Sequence, residues 1–442
     1  NPGTSEMHLV AAIDHNPAVR PVLGLFEGVV SGAADGYARM SGKSAANLLH
    51  LGPGLGNAFA NIHNAKKAFS PMINIVGDHA SYHLKHNAPL TSDLDGLAKS
   101  SSDWVKRVSS PEQITQCAND AWKAANESPG NIATLVVPAD YAWSDIQSDL
   151  PKKVELNNRK SVDNKLIEAA YKLLLKPNSM LYLGGKFLDE ECLKFAAQIA
   201  TKTGCRLVTD TFVSRIRRGA GLPIVQQVPY FSEMAEDFLQ GTESIVFIGT
   251  KPPVSFFAYP DKKSFLSPDE AELFELCSVE ENGYEALALL SELSGSPKIA
   301  NELIRPQISD VPTSGDLDVT TLGPLIADMM PEESIVSDES ATSSLFVTPH
   351  ALQAKPHDWL ALTGGSIGQG LPLAIGASIA KPDRPVITLH GDGGAMYTVQ
   401  ALWTQARENL NITNIIFSNR SYEILKIELD RVQAVATGER AA

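Results

Sequence analysis

An aspartate and an asparagine, each placed just after an apolar β-type run, are the residues of this sequence that most clearly could do chemistry. The run "VITLH" leads into a Gly-Asp-Gly turn that contains Asp392, and the later run "NIIFS" is followed by Asn419. Because parallel strands end at one edge of their sheet, we expect both side chains at that edge. Carboxylate and amide oxygens suit Mg²⁺, which completes its octahedron with phosphate oxygens and water.

Backbone amides follow the same turn. A helix is predicted over 398–408, and the residues between it and Asp392 begin with Gly393, Gly394 and Ala395. Free amides at a helix start suit a phosphate group. The pattern therefore predicts a divalent cation that clamps a diphosphate. The alternative is an ordinary strand-to-helix turn.

A second candidate is an acidic residue inside an apolar run. Glu27 lies in "VLGLFEGVV", where an unpaired carboxylate would be costly to bury. A buried carboxyl group is one way to build an acid–base catalyst. The alternative is a surface glutamate on a helix.

The composition is that of a globular protein, with 442 residues, 43% hydrophobic and 20% charged. This length favours two or three domains. The net charge of −14 repels phosphate backbones, so no nucleic-acid partner is expected. No apolar run approaches the about 20 residues of a membrane helix. Four scattered cysteines without a CxxC pair favour a reducing, cytoplasmic setting.

Short apolar runs alternate with helical patterns along the whole chain, which predicts an α/β fold of three doubly wound parallel-sheet domains. Strands are predicted over 45–52, 71–78, 131–140, 179–185, 205–210, 243–250, 333–340 and 385–392. Helices are predicted over 54–69, 111–126, 164–175, 188–203 and 398–408.

Two polar stretches, 144–161 and 305–318, interrupt this pattern and are predicted to be linkers. The predicted domains are 1–150, 160–305 and 315–442.

These motifs resemble those of the thiamine-diphosphate-dependent 2-oxo acid decarboxylase and acetolactate synthase family. Gly-Asp-Gly with an asparagine at this distance resembles the cofactor motif, and "GDGGAMYTVQALWTQA" resembles the benzoylformate decarboxylase branch. "FEGVVSGAADGYAR" and "LGPGLGN" resemble the first domain of that family. The resemblance covers essentially the whole chain and is weakest in its middle. Family members run longer, so we expect this chain to lack a first strand and helix and a C-terminal portion.

The resemblance implies thiamine diphosphate and Mg²⁺ as cofactors, bound by a pyrimidine-binding N-terminal domain and a diphosphate-binding C-terminal domain that flank a central domain. It places the metal on the side chains of Asp392 and Asn419 and on the backbone carbonyl of Ser421. The family usually has two asparagines in a row, and here Ser418 replaces the first of them. The ligating position, Asn419, is kept.

Further cofactor contacts are implied in the same way. Glu27 is implied to face the aminopyrimidine nitrogen as an acid–base relay. The Gly365 carbonyl is implied to meet the exocyclic amine, and the Ile367 side chain to lie under the bend of the folded cofactor. Thr342 is implied to bind the diphosphate through its hydroxyl. The alternatives are a packing loop for 365–367 and a turn or cap for Thr342.

Substrate residues are inferred from the same branch. His50 and Thr4 match the positions of an active-site histidine and serine, although a histidine at a strand end is often structural. A second active-site histidine of that branch has no equivalent, because Ala258 stands at its place. Three aromatic residues are predicted to line an apolar substrate pocket, namely Phe256, Phe257 and Tyr259. The alternative is that they pack in the core.

The implied activity is decarboxylation of a 2-oxo acid, after which the enamine is protonated to an aldehyde or captured by a second carbonyl. The family also implies a homodimer or homotetramer with active sites between subunits. One alternative is a non-catalytic cofactor-binding paralogue or an incomplete fragment. A nicotinamide- or flavin-dependent Rossmann protein is disfavoured because no GxGxxG follows the strands.

Overall fold

The computed structural model describes residues 1–146, 151, 154–295 and 311–434. Its strands are β1 Ala45–His50, β2 Met72–Asp78, β3 Trp104–Arg107, β4 Ile132–Pro138, β5 Ser179–Leu183, β6 Arg206–Thr209, β7 Ile216–Arg218, β8 Gln226–Gln227, β9 Ser244–Ile248, β10 Glu272–Cys277, β11 Ile335–Glu339, β12 His357–Ala361, β13 Val386–Gly391 and β14 Ile412–Phe417.

Its α-helices are α1 Met7–Asp14, α2 Glu27–Ser41, α3 Leu51–Lys67, α4 Leu94–Ser101, α5 Ile114–Asn126, α6 Ala139–Ala142, α7 Asn164–Leu174, α8 Glu190–Thr203, α9 Ser232–Leu239, α10 Gly283–Ser294, α11 Val319–Met329, α12 Ser344–Ala351, α13 Gly370–Ala380, α14 Asp392–Ala395, α15 Ala401–Arg407 and α16 Glu423–Arg431. Short 3₁₀ helices cover Thr4–Glu6, Leu84–His86, Pro111–Gln113 and Ala341–Ser343.

The described residues fall into two compact units. The first contains Asn1–Asn158, Ile335–Glu339 and Leu362–Ile416. The second contains Arg159–Ser334, Ser340–Ala361 and Phe417–Ala442. The three domain intervals drawn from the sequence stay a prediction. Parts of both predicted linkers, namely 147–150, 152–153 and 305–310, lie outside the described residues.

The first unit contains a parallel sheet in the order β1-β2-β4-β3. Every residue of β4 is buried, as expected for a strand covered on both faces. α3 packs on this sheet through Leu55 and Ile62, which join Leu49 and Val76 in one apolar cluster. The sheet therefore fixes where His50, the last residue of β1, and the face of α3 must lie.

The same unit contains β14, β13 and β11, in that spatial order. β11 and β13 are parallel, with Ile335 opposite Val386. α2 and α13 lie so close together that their contact requires glycine. A Cβ on Gly36 would lie 1.9 Å from the Leu373 carbonyl oxygen, and one on Gly376 would lie 1.8 Å from that of Ala33.

The second unit contains a parallel sheet in the order β10-β9-β5-β6-β8. Its core includes Met180, Tyr182, Val208 and Phe247. β7 and β12 form an antiparallel pair, with Ile216 opposite Trp359. Local signals explain the helix ends. For example, α8 begins where Asp189 accepts the Cys192 amide and ends at a left-handed glycine.

The predicted α/β class with parallel sheets is confirmed, and all thirteen predicted strands and helices have counterparts within a few residues. α2 was not predicted from pattern because its glycines lower helix propensity; its tight packing on α13 outweighs that loss. β12 was missed because it begins with two polar residues that are nevertheless buried, His357 and Asp358. None of the helices in the described part of the chain has the length and apolar character of a membrane span.

Candidate active site

The Gly-Asp-Gly turn lies at the carboxyl end of β13. Asp392 begins α14, and its Oδ1 accepts the backbone amide of Gly393 at 2.9 Å. Gly394 lies against a buried carboxylate, since a Cβ there would come within 2.7 Å of Oε1 of Glu339. A glycine at this position is therefore a packing requirement as well as a motif residue.

Glu339, which the sequence did not single out, organises the segment before α13. It is the last residue of β11 and is buried. Its carboxylate accepts three consecutive backbone amides at 2.5–2.7 Å, those of Gly368, Gln369 and Gly370. The Glu339 carboxylate thus accepts the amides at the start of α13 and also lies close to Gly394, the residue after the Gly-Asp-Gly turn.

His390, which is fully buried, is the neighbour of that carboxylate. Its Nε2 lies 3.4 Å from Oε2 of Glu339. Burial lowers the pKa of the His390 imidazole, but the charge and hydrogen bond of Glu339, the Gly391 carbonyl and the charge of Asp338 together outweigh burial, so the net pKa is raised. Both Glu339 and His390 lie close to Gly394, since a Cβ there would also come within 3.0 Å of the His390 imidazole.

Asn419 and Ser421 follow β14 and belong to the second unit. Oδ1 of Asn419 accepts the Ser421 amide at 3.0 Å, and Arg420 between them has a left-handed φ of 55°. In the described part of the chain, no group of three or more His, Cys, Asp or Glu side chains could hold a metal ion. A cation bound through an aspartate, an amide and a backbone carbonyl fits these oxygen donors. Ligation by Asp392, Asn419 and Ser421 stays a prediction.

Glu27 is the first residue of α2, and its carboxylate is buried. The surface alternative is therefore wrong. Oε2 of Glu27 accepts a hydrogen bond from Nδ2 of Asn57 at 3.1 Å. A buried carboxylate with a neutral donor is chemically able to exchange a proton with a ligand. Its predicted role toward the aminopyrimidine stays a prediction.

His50 ends β1 opposite Gly77 of β2. Its Nδ1 donates to Oε2 of Glu6 at 2.8 Å, and this fully buried carboxylate also accepts the Gly3 amide at 2.7 Å. A Cβ on Gly77 would lie 1.8 Å from Oε1 of Glu6, so glycine makes room for the carboxylate. This contact fixes the orientation of the imidazole ring. Sequence reasoning missed Glu6 because it stands in a short polar stretch without periodicity.

The other predicted contacts are scattered over both units. Thr4 is exposed and follows Gly3, whose Cβ position would lie 2.3 Å from Nδ1 of His50. Gly365 is exposed with a φ of 75°, a conformation that favours glycine. Ile367 and Thr342 are half-buried, and Thr342 lies in the second unit. Their cofactor contacts stay predictions.

A buried ion pair joins α2 to the segment that leads into α13. Arg39 binds Asp35 through two hydrogen bonds of 2.7 and 2.8 Å, and it also donates to Oγ1 of Thr363 at 2.9 Å. Nε2 of Gln369 donates to Oδ2 of Asp35 at 2.6 Å. Such a pair is satisfied on all sides and fixes the segment rigidly.

The aromatic residues proposed for a substrate pocket lie in the second unit. Phe256 and Phe257 are 44% and 55% exposed, so the core alternative is wrong for both. Their rings contact each other edge to face at 4.9 Å. Tyr259 donates to Oε2 of Glu428 at 2.7 Å. Their pocket role stays a prediction, and Ala258 between them is exposed.

Comparison with known families matches both ends of the chain. The family described as thiamine pyrophosphate enzyme, N-terminal TPP binding domain, matches residues 1–98. The corresponding C-terminal TPP binding domain matches residues 341–441. The matched ranges contain Glu27, His50 and the Gly-Asp-Gly turn.

Similar proteins align along nearly the whole chain. A Mycobacterium tuberculosis protein provisionally named acetolactate synthase large subunit IlvX is 45% identical over 438 residues, which cover 98% of this chain and 83% of that protein. Benzoylformate decarboxylase of Pseudomonas aeruginosa is 26% identical over 449 residues, 96% of this chain and 83% of that enzyme.

Solved structures show the same fold. The thiamine diphosphate-dependent 4-hydroxybenzoylformate decarboxylase of Rhodococcus jostii superposes with a TM-score of 0.84 at 23% identity, over 99% of this chain and 86% of that one. A relative is 45% identical over 98% of this chain, and TPP binding domains are matched at both ends. This chain therefore belongs to the thiamine pyrophosphate enzyme family that includes acetolactate synthases and benzoylformate decarboxylases.

Proposed function

We propose that this protein uses thiamine diphosphate and Mg²⁺ to remove CO₂ from a 2-oxo acid. The acyl fragment then takes up a proton and leaves as an aldehyde, or it forms a carbon–carbon bond with a second carbonyl compound. The observation that carries the proposal is the burial of the Glu27 carboxylate, together with the Gly-Asp-Gly turn at the carboxyl end of β13. The names of the two similar proteins point to the same two outcomes.

Different residues of this chain would bind different parts of the cofactor. Asp392, Asn419 and the Ser421 carbonyl would hold Mg²⁺. The diphosphate and the bend of the cofactor would be held by Thr342, Gly365, Ile367, Gly393, Gly394 and Ala395. When bound, thiamine diphosphate supplies the electron sink that loss of CO₂ requires.

Two residues would move protons. Glu27 would exchange a proton with the aminopyrimidine, and Asn57 orients its carboxylate for this. The Nδ1 atom of His50 is bonded to Glu6, which leaves Nε2 as the atom that would accept or donate a proton at the substrate. Thr4 would support the same region through its hydroxyl.

The assembly is part of the proposal. We expect a homodimer or homotetramer in which subunits share active sites, and a cytoplasmic location. Sedimentation of the purified chain with and without cofactor would measure the assembly.

The test is CO₂ release by the purified chain with thiamine diphosphate, Mg²⁺ and a panel of 2-oxo acids that includes pyruvate and benzoylformate. We expect CO₂ only when both cofactors are present, and none from Asp392→Ala. Product chirality would separate aldehyde release from carbon–carbon bond formation. Bound cofactor without turnover on any substrate would contradict the proposal and favour the non-catalytic cofactor-binding alternative.

A further inference from the structure

Three asparagines on α3 connect Glu27 to the loop that precedes α13. Asn57, Asn61 and Asn64 are spaced i, i+4 and i+7, so they lie along one face of the helix. We call this set the asparagine face. All its contacts lie within the first compact unit.

At one end, Asn57 contacts the predicted catalytic carboxylate. Its Nδ2 donates to Oε2 of Glu27 at 3.1 Å. Asn57 itself is exposed, whereas Glu27 is buried. A neutral donor at this place fixes the carboxylate without adding a charge.

In the middle, the fully buried Asn61 bonds two separate segments. Its Nδ2 donates to the Gly28 carbonyl at 2.8 Å and to the Gly368 carbonyl at 3.3 Å. Gly28 is the neighbour of Glu27, and Gly368 is one of the residues whose amides Glu339 accepts. Asn61 therefore sets the spacing between the start of α2 and the loop before α13.

At the other end, Asn64 holds both polar groups of one loop residue. Its Nδ2 donates to the Ser366 carbonyl at 2.7 Å, and its Oδ1 accepts the Ser366 amide at 3.2 Å. Nδ2 of Asn64 also donates to Oδ1 of Asn61 at 3.1 Å, which links the two side chains. Ser366 lies between Gly365 and Ile367, the residues predicted to hold the bend of the cofactor.

The chain offers a contrasting pair of buried asparagines. Nδ2 of Asn47 donates to Oδ1 of Asn74 at 2.9 Å, between neighbouring strands β1 and β2. That pair connects only elements of one sheet. The asparagine face instead connects Glu27 with a loop more than three hundred residues later in the chain.

We propose that the asparagine face is a positioning device for the residues that bind thiamine diphosphate. Asn57 orients Glu27, Asn64 holds Gly365 and Ile367 in place, and Asn61 links the start of α2 to the loop before α13. Because Asn57 and Asn64 act on different cofactor-binding residues, they have separable effects. The inference rests on the proposed function, since it requires that the chain binds this cofactor.

The first test replaces Asn57 by Leu, which has a similar size and cannot donate. We expect kcat to fall about tenfold to hundredfold, as for loss of a hydrogen bond to a charged group, with the Kd for thiamine diphosphate within about threefold of wild type. The near-UV circular dichroism of the bound cofactor should change at equal occupancy. Asn57→Ser, a smaller replacement, serves as the second variant if Asn57→Leu does not fold.

The second test replaces Asn64 by Asp, which keeps the acceptor for the Ser366 amide and removes the donor to its carbonyl. We expect the Kd for thiamine diphosphate to rise about tenfold, with kcat near wild type at saturating cofactor. Kd is measured by titration calorimetry in the presence of Mg²⁺. Asn64→Ser keeps the test valid if the aspartate variant does not fold.

Asn47→Leu is the matched control for loss of a buried asparagine. It should lower Tm and leave kcat and Kd unchanged. If the Asn57 and Asn64 variants behave like this control, the positioning role is overturned while the proposed function stands. If wild type binds no thiamine diphosphate, the proposed function fails, and the positioning role fails with it.

Discussion

Glu27 is a buried carboxylate and Asp210 a half-buried one, each in a parallel α/β unit, and their surroundings differ in kind. Asp210 follows β6 in the second unit, where Oδ1 accepts the Tyr182 hydroxyl at 3.0 Å and Oδ2 accepts Oγ1 of Thr250 at 2.8 Å. Both oxygens are thus bonded to hydroxyls of nearby residues of the same sheet region, Tyr182 in β5 and Thr250 just after β9. Burial raises the pKa of Asp210 and of Tyr182.

Glu27 instead accepts an amide from the exposed Asn57, on a helix whose face continues to a distant loop. The comparison teaches that burial alone does not identify a functional carboxylate. The hydrogen-bond partners of the carboxylate are more informative. Those of Asp210 complete a local network, whereas that of Glu27 leads toward another segment that could bind a ligand.

The largest effect is expected when each carboxylate is made neutral. Glu27→Gln should lower kcat about hundredfold to ten-thousandfold, because it removes the acid–base group while keeping its size. Asp210→Asn should leave kcat unchanged and lower Tm through the altered hydroxyl bonds. CO₂ release and thermal unfolding measure the two effects. Equal loss of kcat in both variants would erase the distinction between the two carboxylates.

A pH experiment extends the comparison to two fully buried histidines. Burial, aided by Arg218 and Arg217, lowers the pKa of His357 in the second unit to about 4, although the Lys355 carbonyl and Asp358 oppose the shift. The pKa of His390 in the first unit is raised. The folded state thus holds His357 neutral, while the unfolded chain takes up its proton below about pH 6.5.

The stability that neutral His357 contributes is therefore complete above about pH 6.5. It is lost as the pH falls toward 4, by up to about 3 kcal/mol. His357→Asn should flatten this part of the curve of unfolding free energy against pH, measured by urea unfolding between pH 7.5 and 4.5. An unchanged slope in the variant would show that other groups cause the acid sensitivity.

A smaller effect is expected when a glycine is replaced by alanine, and two glycines allow a comparison. In Gly394→Ala the Cβ would lie 2.7 Å from a carboxylate oxygen of Glu339 that already binds the Gly368 amide, so the turn must shift at a cost of about 1–3 kcal/mol. We expect about tenfold weaker binding of thiamine diphosphate by titration calorimetry. In Gly56→Ala the Cβ would meet no atom within 4 Å, so affinity should not change. Similar affinities for both variants would contradict the packing role of Gly394.

Local pattern was sufficient for the thirteen strands and helices that were predicted from it. β4 is fully buried and apolar apart from Thr134, and α8 carries both its caps, so each was predictable from nearby residues. Pattern missed other elements, and α2 and β12 show why. The glycines of α2 make sense only against α13, and the polar start of β12 only when it is paired with β7.

The candidate site divides in the same way. Glu27 and Asp392 stand in distinctive local contexts. Glu27 is buried and Asp392 lies at a strand end, as the sequence predicted. Glu6, Glu339 and the asparagine face had no such context. The i, i+4, i+7 spacing of the asparagines within a predicted helix was the one signal that could have drawn attention to them.

By itself, the sequence determined the alternation of strands and helices and the turn chemistry at Asp392, because backbone preferences and apolar periodicity act over a few residues. Only the tertiary structure decided which polar groups bond to one another. Asn64 meets Ser366 and Glu339 meets Gly368 because packed helices and paired strands bring distant segments within hydrogen-bond distance. Buried polar atoms must find partners, but the sequence does not state which ones.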